Sequence, residues 1–313
     1  LCLRVGDEKD PDEADTVGAT TLRPEHITLL EGKTAEFKFL GKDSVLWHKS
    51  IALPEIVYEN LATLIENARP SGSNRDHPAR NLPQVFPDIS SRDVNAYLSE
   101  IHTGLSAKVF RTYHATAAVQ GSLSQSGVQV EDPEYIKREA AVMANLEAAI
   151  LCNHTKKGPA NWSDRKVKMR ERRDKARERV NKTRQQLKQY QEALQALRLE
   201  AREKSAAASA ARRPKVRERY KKRTEVARRR VETARGRLDR ARDALGKVES
   251  QNRLASQGRE WNLGTSLKSY IDPRVYYRWG ESVEYDVLER YYPKLLRKKF
   301  AWAADSRDVD EEE

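Results

Sequence analysis

In Thr224-Glu-Val-Ala-Arg-Arg-Arg-Val-Glu-Thr-Ala-Arg-Gly-Arg-Leu-Asp-Arg-Ala-Arg-Asp-Ala-Leu-Gly-Lys-Val248, small and apolar residues recur at alternating intervals of three and four. This is the heptad spacing of an α-helix that packs through one narrow seam. The seam positions are Thr224, Ala227, Val231, Ala234, Leu238, Ala241, Leu245 and Val248. An earlier arm keeps the same repeat at Val180, Thr183, Leu187, Tyr190, Leu194, Leu197 and Ala201. Because Ser205 to Pro214 interrupts the pattern, we expect an antiparallel coiled-coil hairpin.

The hairpin region also carries the positive charge of the chain. Residues 161–250 contain 31 Lys and Arg against 13 Asp and Glu, a surplus of 18, although the whole chain carries only +12. The remaining residues are therefore slightly acidic. Such a concentration of cations favours a polyanionic partner, with nucleic acid before anionic membrane. The same charges also suit the solvated surface of a coiled-coil spacer, so both interpretations stay open from the pattern alone.

The segments on either side of the hairpin have compact patterns. Alternating apolar residues predict three short strands between His26 and His48, with Lys42 at a hairpin tip. Helical periodicity predicts helices over 54–68, 91–101, 107–119 and 133–153, with a polar loop over 121–132, and an aromatic-rich helical segment after Gly258. We therefore expect a mainly α fold with a small antiparallel β-hairpin region, divided into a core (1–158), a linker (159–258) and a C-terminal domain (259–313).

Several classes are disfavoured by the sequence. No run approaches the ~20 apolar residues of a membrane span, and no secretory leader pattern is present. The two cysteines, Cys2 and Cys152, form neither a disulfide framework nor a zinc motif, which is typical of an intracellular protein. There is no glycine-rich phosphate loop and no carboxylate cluster of the kind that holds Mg²⁺. Since Leu1 reads as the middle of a domain, we expect further chain upstream.

Five blocks in a fixed order carry a resemblance. They are Leu3-Arg-Val-Gly-Asp-Glu-Lys9 with Ala14-Asp-Thr-Val-Gly18, Phe37-Lys-Phe-Leu-Gly-Lys-Asp-Ser44, Ala107-Lys-Val-Phe-Arg-Thr-Tyr113, Ala149-Ile-Leu-Cys-Asn-His154 and Leu263-Gly-Thr-Ser-Leu-Lys-Ser-Tyr-Ile-Asp-Pro-Arg274. With the charged insert between the fourth and fifth, they resemble the eukaryotic type IB DNA topoisomerases over nearly the whole chain. One departure is Ser266-Leu-Lys-Ser-Tyr270, where the usual lysine is displaced by one position and Ser269 replaces a common Asn.

The resemblance implies an active site. The nucleophile would be Tyr270, Arg4, Arg111 and His154 would stabilise the transition state, and Lys42 would be the general acid. By the same resemblance, DNA contacts would come from Lys42, Asp43, Lys108 and the Lys and Arg residues of the linker.

The resemblance also implies the activity. It is cleavage of one strand of double-stranded DNA through a 3′-phosphotyrosyl intermediate, strand rotation that relaxes positive and negative supercoils, and religation. No ATP, cofactor or obligatory metal would be needed. The implied setting is a nuclear monomer on DNA, completed by an upstream core and cap segment that this chain lacks, and the variant tyrosine block is similar to filamentous-fungal members.

The chemistry of strand transfer suits these residue types. A tyrosine phenol, with an ordinary pKa of about 10, is a weak nucleophile until neighbouring cations favour its phenolate. A guanidinium stays charged and can hold phosphate oxygens through parallel hydrogen bonds. A lysine can donate its proton to the departing 5′ oxygen when desolvation lowers its pKa. Taken singly, however, an Arg, Lys or His at such positions is more commonly structural.

Two alternatives remain from the sequence. A tyrosine recombinase uses a similar residue set, but it usually has a His three residues before the second arginine, where this chain has Lys108 before Arg111. A recombinase also lacks a long charged hairpin just before its tyrosine. The other alternative is a non-enzymatic coiled-coil protein that binds nucleic acid, and it predicts that Tyr270→Phe leaves DNA unaffected.

Overall fold

A computed structural model describes residues 2–6, 17–41, 45–70 and 82–305. It divides into two compact units. The site unit comprises the described residues up to Lys157 together with those from Glu260 onward, and the hairpin unit is Gly158–Arg259. Helices predominate, and a small antiparallel sheet accompanies them, which confirms the predicted fold class.

The sheet lies near the start of the site unit. After two 3-10 turns, Ala19–Thr21 and Pro24–His26, strand β1 (Ile27–Leu30) pairs antiparallel with β2 (Thr34–Gly41), and β2 pairs with β3 (Val45–Ala52). Alternate residues of β2 are buried, as period-two patterning requires, and they form a core with the side chains of Val17, Leu22, Trp47, Leu61 and Val85. The predicted strands are confirmed within a few residues.

Helices follow the sheet. They are α1 (Glu55–Glu66), α2 (Ser91–Ile101), α3 (Ala107–Ser124) and α4 (Glu134–Leu151), with the short pair β4 (Arg69–Pro70) and β5 (Pro83–Gln84) between α1 and α2. The predicted loop from Gly121 begins too early, because α3 continues for another turn. Leu123, four residues after Val119, extends the buried face of α3, and this packing outweighs the polar composition around it.

Five short helices complete the site unit. They are α7 (Leu263–Ser269), α8 (Pro273–Ser282), α9 (Val287–Arg290), α10 (Lys294–Phe300) and α11 (Trp302–Asp305). Their aromatic residues pack with α3 and α4 in one core, at whose centre Tyr276 is fully buried and donates its hydroxyl to Ala141 O at 2.9 Å. This core brings the C-terminal segment against the helices that precede the hairpin in sequence.

The hairpin unit is two long helices, α5 (Trp162–Ala207) and α6 (Arg213–Gln257). Cross-contacts show that they run antiparallel: Asn252 donates to Met169 O near the base, at 3.1 Å, and Tyr220 donates to Glu200 near the tip, at 2.6 Å. The buried seam contains predicted heptad positions, namely Val180, Leu194, Ala234, Leu238 and Ala241. Whether the pair is a true coiled coil remains a prediction.

No described helix combines the length and the apolar content that a membrane span needs.

Candidate active site

Arg111 is a buried cation on the apolar face of α3. Its side chain lies in line with Ala115, Val119 and Leu123, and only 4% of the residue is exposed. The Nη1 group donates to the Tyr270 hydroxyl at 3.2 Å, and Nη2 donates to the carbonyl oxygen of Cys152 at 3.1 Å. The Nε group has no hydrogen-bond partner among the described residues.

In the described part of the chain, no carboxylate forms a salt bridge with the Arg111 guanidinium. Burying a charge is costly unless the charge is paired, so a buried cation without a carboxylate partner marks a place where an anion can bind. A planar guanidinium with an unused donor is well suited to a phosphate oxygen.

His154 follows the end of α4 at a tight turn. Asn153 has φ of 53°, a left-handed conformation that Asn tolerates, and His154 N then donates back to Ala149 O at 2.8 Å. The next residues pair with the segment before α7: Asn262 N donates to His154 O at 2.6 Å, and Thr155 bridges to Trp261. These contacts fix His154 between α4 and α7.

The imidazole of His154 is kept neutral. The residue is 6% exposed, and burial together with the positive charges of Arg111 and Arg4 lowers its pKa from 6.5 to about 4. Its Nδ1 atom lies 2.8 Å from the Ser266 hydroxyl, and its Nε2 atom lies 3.4 Å from Arg111 Nη2. One ring nitrogen therefore carries a proton near neutral pH, and each nitrogen faces a defined partner.

Tyr270 lies where α7 ends and the chain turns into α8. Its N–H donates to Ser266 O at 2.9 Å, and the following Asp272 N donates to the Thr116 hydroxyl on α3 at 3.0 Å. The Tyr270 ring contacts two of the predicted site residues. The Arg111 Cζ atom is 4.5 Å from the ring centroid, and the His154 ring centroid is 5.0 Å away.

Backbone hydrogen bonds hold the segment that carries Arg4. Its carbonyl oxygen accepts from Ala19 N at 2.8 Å, and the following Val5 O accepts from Thr20 N at 2.8 Å. This pairing requires glycine at position 18, because a Cβ there would lie 2.2 Å from Gly6 Cα. The charge of Arg4 also contributes, after burial and Arg111, to the lowered pKa of His154.

The remaining predicted site residues divide into two groups. Lys108, one turn before Arg111 on α3, places its Nζ atom 5.9 Å from the Tyr270 ring centroid. Lys42 and Asp43 lie outside the described residues, between the end of β2 at Gly41 and the start of β3 at Val45. The structure thus brings together Arg111, His154 and Tyr270, with Lys108 close to the Tyr270 ring.

Two polar contacts of the site were missed by sequence reasoning. Ser266 bonds His154, and Lys49 on β3 donates to Leu151 O at 3.1 Å and Ile150 O at 3.3 Å, which satisfies carbonyl groups at the end of α4. Ser266 could have been found from its spacing, since it stands one helical turn before Tyr270. Lys49 is separated from α4 by about a hundred residues, and no local pattern pointed to it.

The Tyr270 phenol, the Arg111 guanidinium and the neutral His154 imidazole therefore contact one another where α3, α4 and α7 meet, and the Lys108 ammonium group lies 5.9 Å from the phenol ring centroid. Such a set can bind an anionic group and stabilise negative charge on it while the phenol oxygen reacts. In the described part of the chain, no group of three or more His, Cys, Asp or Glu side chains is arranged to hold a metal ion.

Comparisons with known proteins point to the same family as the sequence blocks. A family model described as eukaryotic DNA topoisomerase I, catalytic core, matches residues 1–194, and one described as a C-terminal topoisomerase domain matches residues 242–311. Over its full length the chain is 31% identical to DNA topoisomerase 1 of Chlorocebus aethiops and to that of Homo sapiens, covering 36% and 37% of those proteins. It is also 31% identical, over 97% of its length, to the human protein named DNA topoisomerase I, mitochondrial, and covers 45% of it. The chain thus spans a little over a third of the first two relatives.

Proposed function

Because the chain belongs to the eukaryotic DNA topoisomerase I family, we propose that it cuts one strand of double-stranded DNA with Tyr270 and then reseals it. The Tyr270 oxygen attacks a backbone phosphorus, an O–P bond to tyrosine forms, and the bond from phosphorus to the 5′ oxygen breaks. The phenol loses its proton, and the departing 5′ oxygen gains one. The product is a 3′-phosphotyrosyl link and a free 5′ hydroxyl.

In this proposal the cations hold the phosphate during the attack. Arg111 and Arg4 bind the non-bridging oxygens, and His154 donates a further hydrogen bond to them. Negative charge on these oxygens is greatest in the pentacoordinate state, so these contacts favour the transition state over the substrate. Lys42 is proposed as the general acid for the 5′ oxygen, and Lys108 as a further contact to DNA.

The proposed activity is relaxation of positive and negative supercoils without ATP. The phosphotyrosyl link conserves the energy of the broken phosphodiester bond, so the free 5′ hydroxyl can attack it and restore the strand after rotation. Arginine and histidine side chains are proposed to neutralise the phosphate, a task that a divalent metal performs in other nucleases.

One observation carries the proposal. The buried guanidinium of Arg111, which has no carboxylate partner among the described residues, lies 3.2 Å from the Tyr270 hydroxyl and 3.4 Å from His154 Nε2, and these residues come from three separate segments. A guanidinium buried only for stability would be expected to have a carboxylate partner. Its position beside a phenol supports a site where phosphate and nucleophile meet.

The proposal is tested by trapping the covalent adduct. The chain covers only part of its relatives, so it is assayed alone and fused to the portion of human DNA topoisomerase 1 that precedes the matched region. A duplex labelled at the 5′ end of the cleaved strand is incubated with protein and then denatured. We expect the label to remain attached to protein, to be absent with Tyr270→Phe, and to persist with the exposed control Tyr113→Phe.

Other outcomes would replace the proposal. An adduct that retains only a 3′ label would reverse the assigned polarity. Strand exchange restricted to one DNA sequence, without relaxation of an unrelated plasmid, would favour a tyrosine recombinase. If the fused protein binds DNA tightly and Tyr270→Phe changes nothing, the non-enzymatic alternative would stand.

The cellular setting is part of the proposal. We propose a nuclear protein that acts as a monomer on DNA, together with a core and cap segment upstream of the matched region. Since one relative is named as mitochondrial, imaging of the tagged full-length protein against nuclear and mitochondrial markers separates the two locations.

A further inference from the structure

Ser266 is a fully buried hydroxyl on the helix that leads to Tyr270. It is 0% exposed, and its side chain makes one hydrogen bond among the described residues, to His154 Nδ1 at 2.8 Å. A serine inside a helix commonly bonds back to a carbonyl of the preceding turn. Here the hydroxyl contacts a ring of the candidate active site, across 112 residues of chain.

The contact between Ser266 and His154 is supported by hydrogen bonds of the neighbouring backbone. Asn262 N donates to His154 O at 2.6 Å, and the Asn262 side chain accepts from Thr265 N at 3.4 Å at the start of α7. The helix that carries Ser266 is therefore anchored to the residue that Ser266 contacts. Because both partners are almost completely buried, water does not readily replace the hydroxyl.

The state of His154 makes the identity of its Nδ1 partner important. A neutral imidazole has a proton on one nitrogen and a lone pair on the other. Arg111 can only donate, so when its Nη2 group is directed at Nε2, the proton belongs on Nδ1 and Ser266 accepts it. Donation from Nε2 to a phosphate oxygen requires the opposite arrangement, in which Nδ1 accepts.

We propose that Ser266 is a positioning residue that sets the tautomer of His154. Its hydroxyl accepts from Nδ1 in the DNA-free protein, and it donates to Nδ1 when a phosphate occupies the site. Between these states one proton leaves Nδ1 to solvent and one reaches Nε2 from solvent, so the net charge of the ring is unchanged. A hydroxyl suits this place because it can donate or accept by rotating. The second state rests on the proposed function, and the first does not.

The first experiment reads the tautomer directly. The protein is labelled with 15N-histidine, and the His154 signals are assigned by comparison with His154→Gln. In the DNA-free protein we expect a protonated Nδ1 and an unprotonated Nε2. In Tyr270→Phe bound to an uncleavable duplex we expect the reverse. In Ser266→Ala the two tautomers should be mixed in both conditions.

The second experiment measures the effect of Ser266 on DNA cleavage. Single-turnover cleavage by Ser266→Ala should fall roughly 10- to 100-fold, the range known for hydrogen-bond partners that orient metal-binding histidines, while the Kd for duplex changes less than about twofold. Ser266→Thr, which keeps the hydroxyl, should recover most of the rate if its melting temperature shows that the added methyl group is accommodated. The control is Ser124→Ala, which removes an exposed hydroxyl at the end of α3, and for it the wild-type rate is expected.

The two hypotheses fail differently. A wild-type protein that forms no covalent adduct would refute the proposed function, and the DNA-free tautomer would still test the role of Ser266. Wild-type cleavage by Ser266→Ala, or an unchanged tautomer in that variant, would overturn this inference alone. If the cleavage rate and the affinity for DNA both fall while the His154 signals stay unchanged, Ser266 has only a structural role in packing.

Discussion

Arginine is used in opposite ways in the two units. In the hairpin unit, Arg177, Arg223 and Arg229 are 54%, 46% and 76% exposed at the side chain and form ion pairs with glutamates. In the site unit, Arg111 is buried among alanine, valine and leucine, and no carboxylate pairs with it in the described chain. The residue type alone does not distinguish these roles.

The difference lies in what each environment does to a charge. Exposed ion pairs contribute about 0–1 kcal/mol, because water and salt screen them. The hairpin therefore depends on its narrow apolar seam for stability, and its cations are available to a polyanion. A buried cation is screened much less, so the same group can bind one phosphate strongly and at a defined position. The exposed cations of the hairpin are suited to long-range attraction of a polyanion, and the buried cation of the site unit is suited to binding one phosphate.

The largest effect should come from Arg111. Replacing it with Ala removes a donor aimed at the proposed phosphate, so cleavage should fall about 10²- to 10³-fold. Arg111→Lys should recover little, since an ammonium lacks the planar fork. Arg229→Ala, the exposed counterpart, should stay within twofold. Single-turnover cleavage rates and melting curves are measured for the three variants. Equal rates for Arg111→Ala and Arg229→Ala would show that the buried and the exposed arginine do not differ in function.

The second prediction concerns stability within the hairpin seam. Leu238→Ala should lower the free energy of unfolding of the hairpin by roughly 2–3 kcal/mol, the lower part of the range for buried leucines, because its seam is narrow. Leu199→Ala, whose side chain is exposed, should change it by less than about 0.5 kcal/mol.

Two spectroscopic probes separate the units in that experiment. The hairpin helices contain about half of the helical residues that produce the far-ultraviolet circular dichroism, whereas Trp47, Trp261, Trp279 and Trp302, four of the five tryptophans, belong to the site unit. Leu238→Ala should therefore move the dichroism transition in urea more than the fluorescence transition. Equal shifts in both probes would show that the units unfold together.

The third prediction removes the hairpin cations. Deleting residues 164–250 should weaken DNA binding about tenfold near 0.15 M salt and reduce the salt dependence of affinity by about one unit of slope for each lost phosphate contact. The cleavage rate of bound DNA should not change. A milder variant, with Arg228, Arg229 and Arg230 replaced by Gln, keeps both helices and should shift the slope in the same direction. An unchanged slope in both variants would make the hairpin a spacer.

The smallest effect concerns the pH dependence of stability. The pKa of His154 is about 4 in the folded protein and about 6.5 when unfolded, so the unfolded chain binds more protons between these values. The free energy of unfolding should therefore fall as pH decreases, by about 1 kcal/mol between pH 7 and 5.5. His154→Gln should remove the part of this slope that His154 contributes, whereas the exposed control His102→Gln should keep it. Urea titrations at pH 7 and pH 5.5 measure the free energy of unfolding of each variant.

Much of the local structure was predictable, because it depends on periodicity. The three strands, the helix that ends before His154 and the two hairpin helices follow from spacing of two, 3.6 and 3.5 residues. The end of α3 was predicted wrongly, since Gly121 and Ser122 have polar loop character but lie beside a buried Leu123. Tertiary packing overrode local propensity there.

The site was predictable only in part. Ordered blocks and a family resemblance indicated Arg4, Arg111, His154 and Tyr270, and the structure brings the last three into contact. No sequence pattern indicated that the Arg111 guanidinium would have no carboxylate partner among the described residues or that Ser266 would contact His154. These facts depend on side-chain packing between segments more than a hundred residues apart.

By itself, the sequence determined the helical character, the heptad seam and the concentration of cations in the hairpin, because each is a property of neighbouring residues along the chain. Only the tertiary structure decided which cation is buried, which carbonyl and hydroxyl it meets, and which nitrogen of His154 faces it. Those outcomes follow from the packing of α3, α4 and α7, which buries the Arg111 guanidinium beside the Tyr270 phenol.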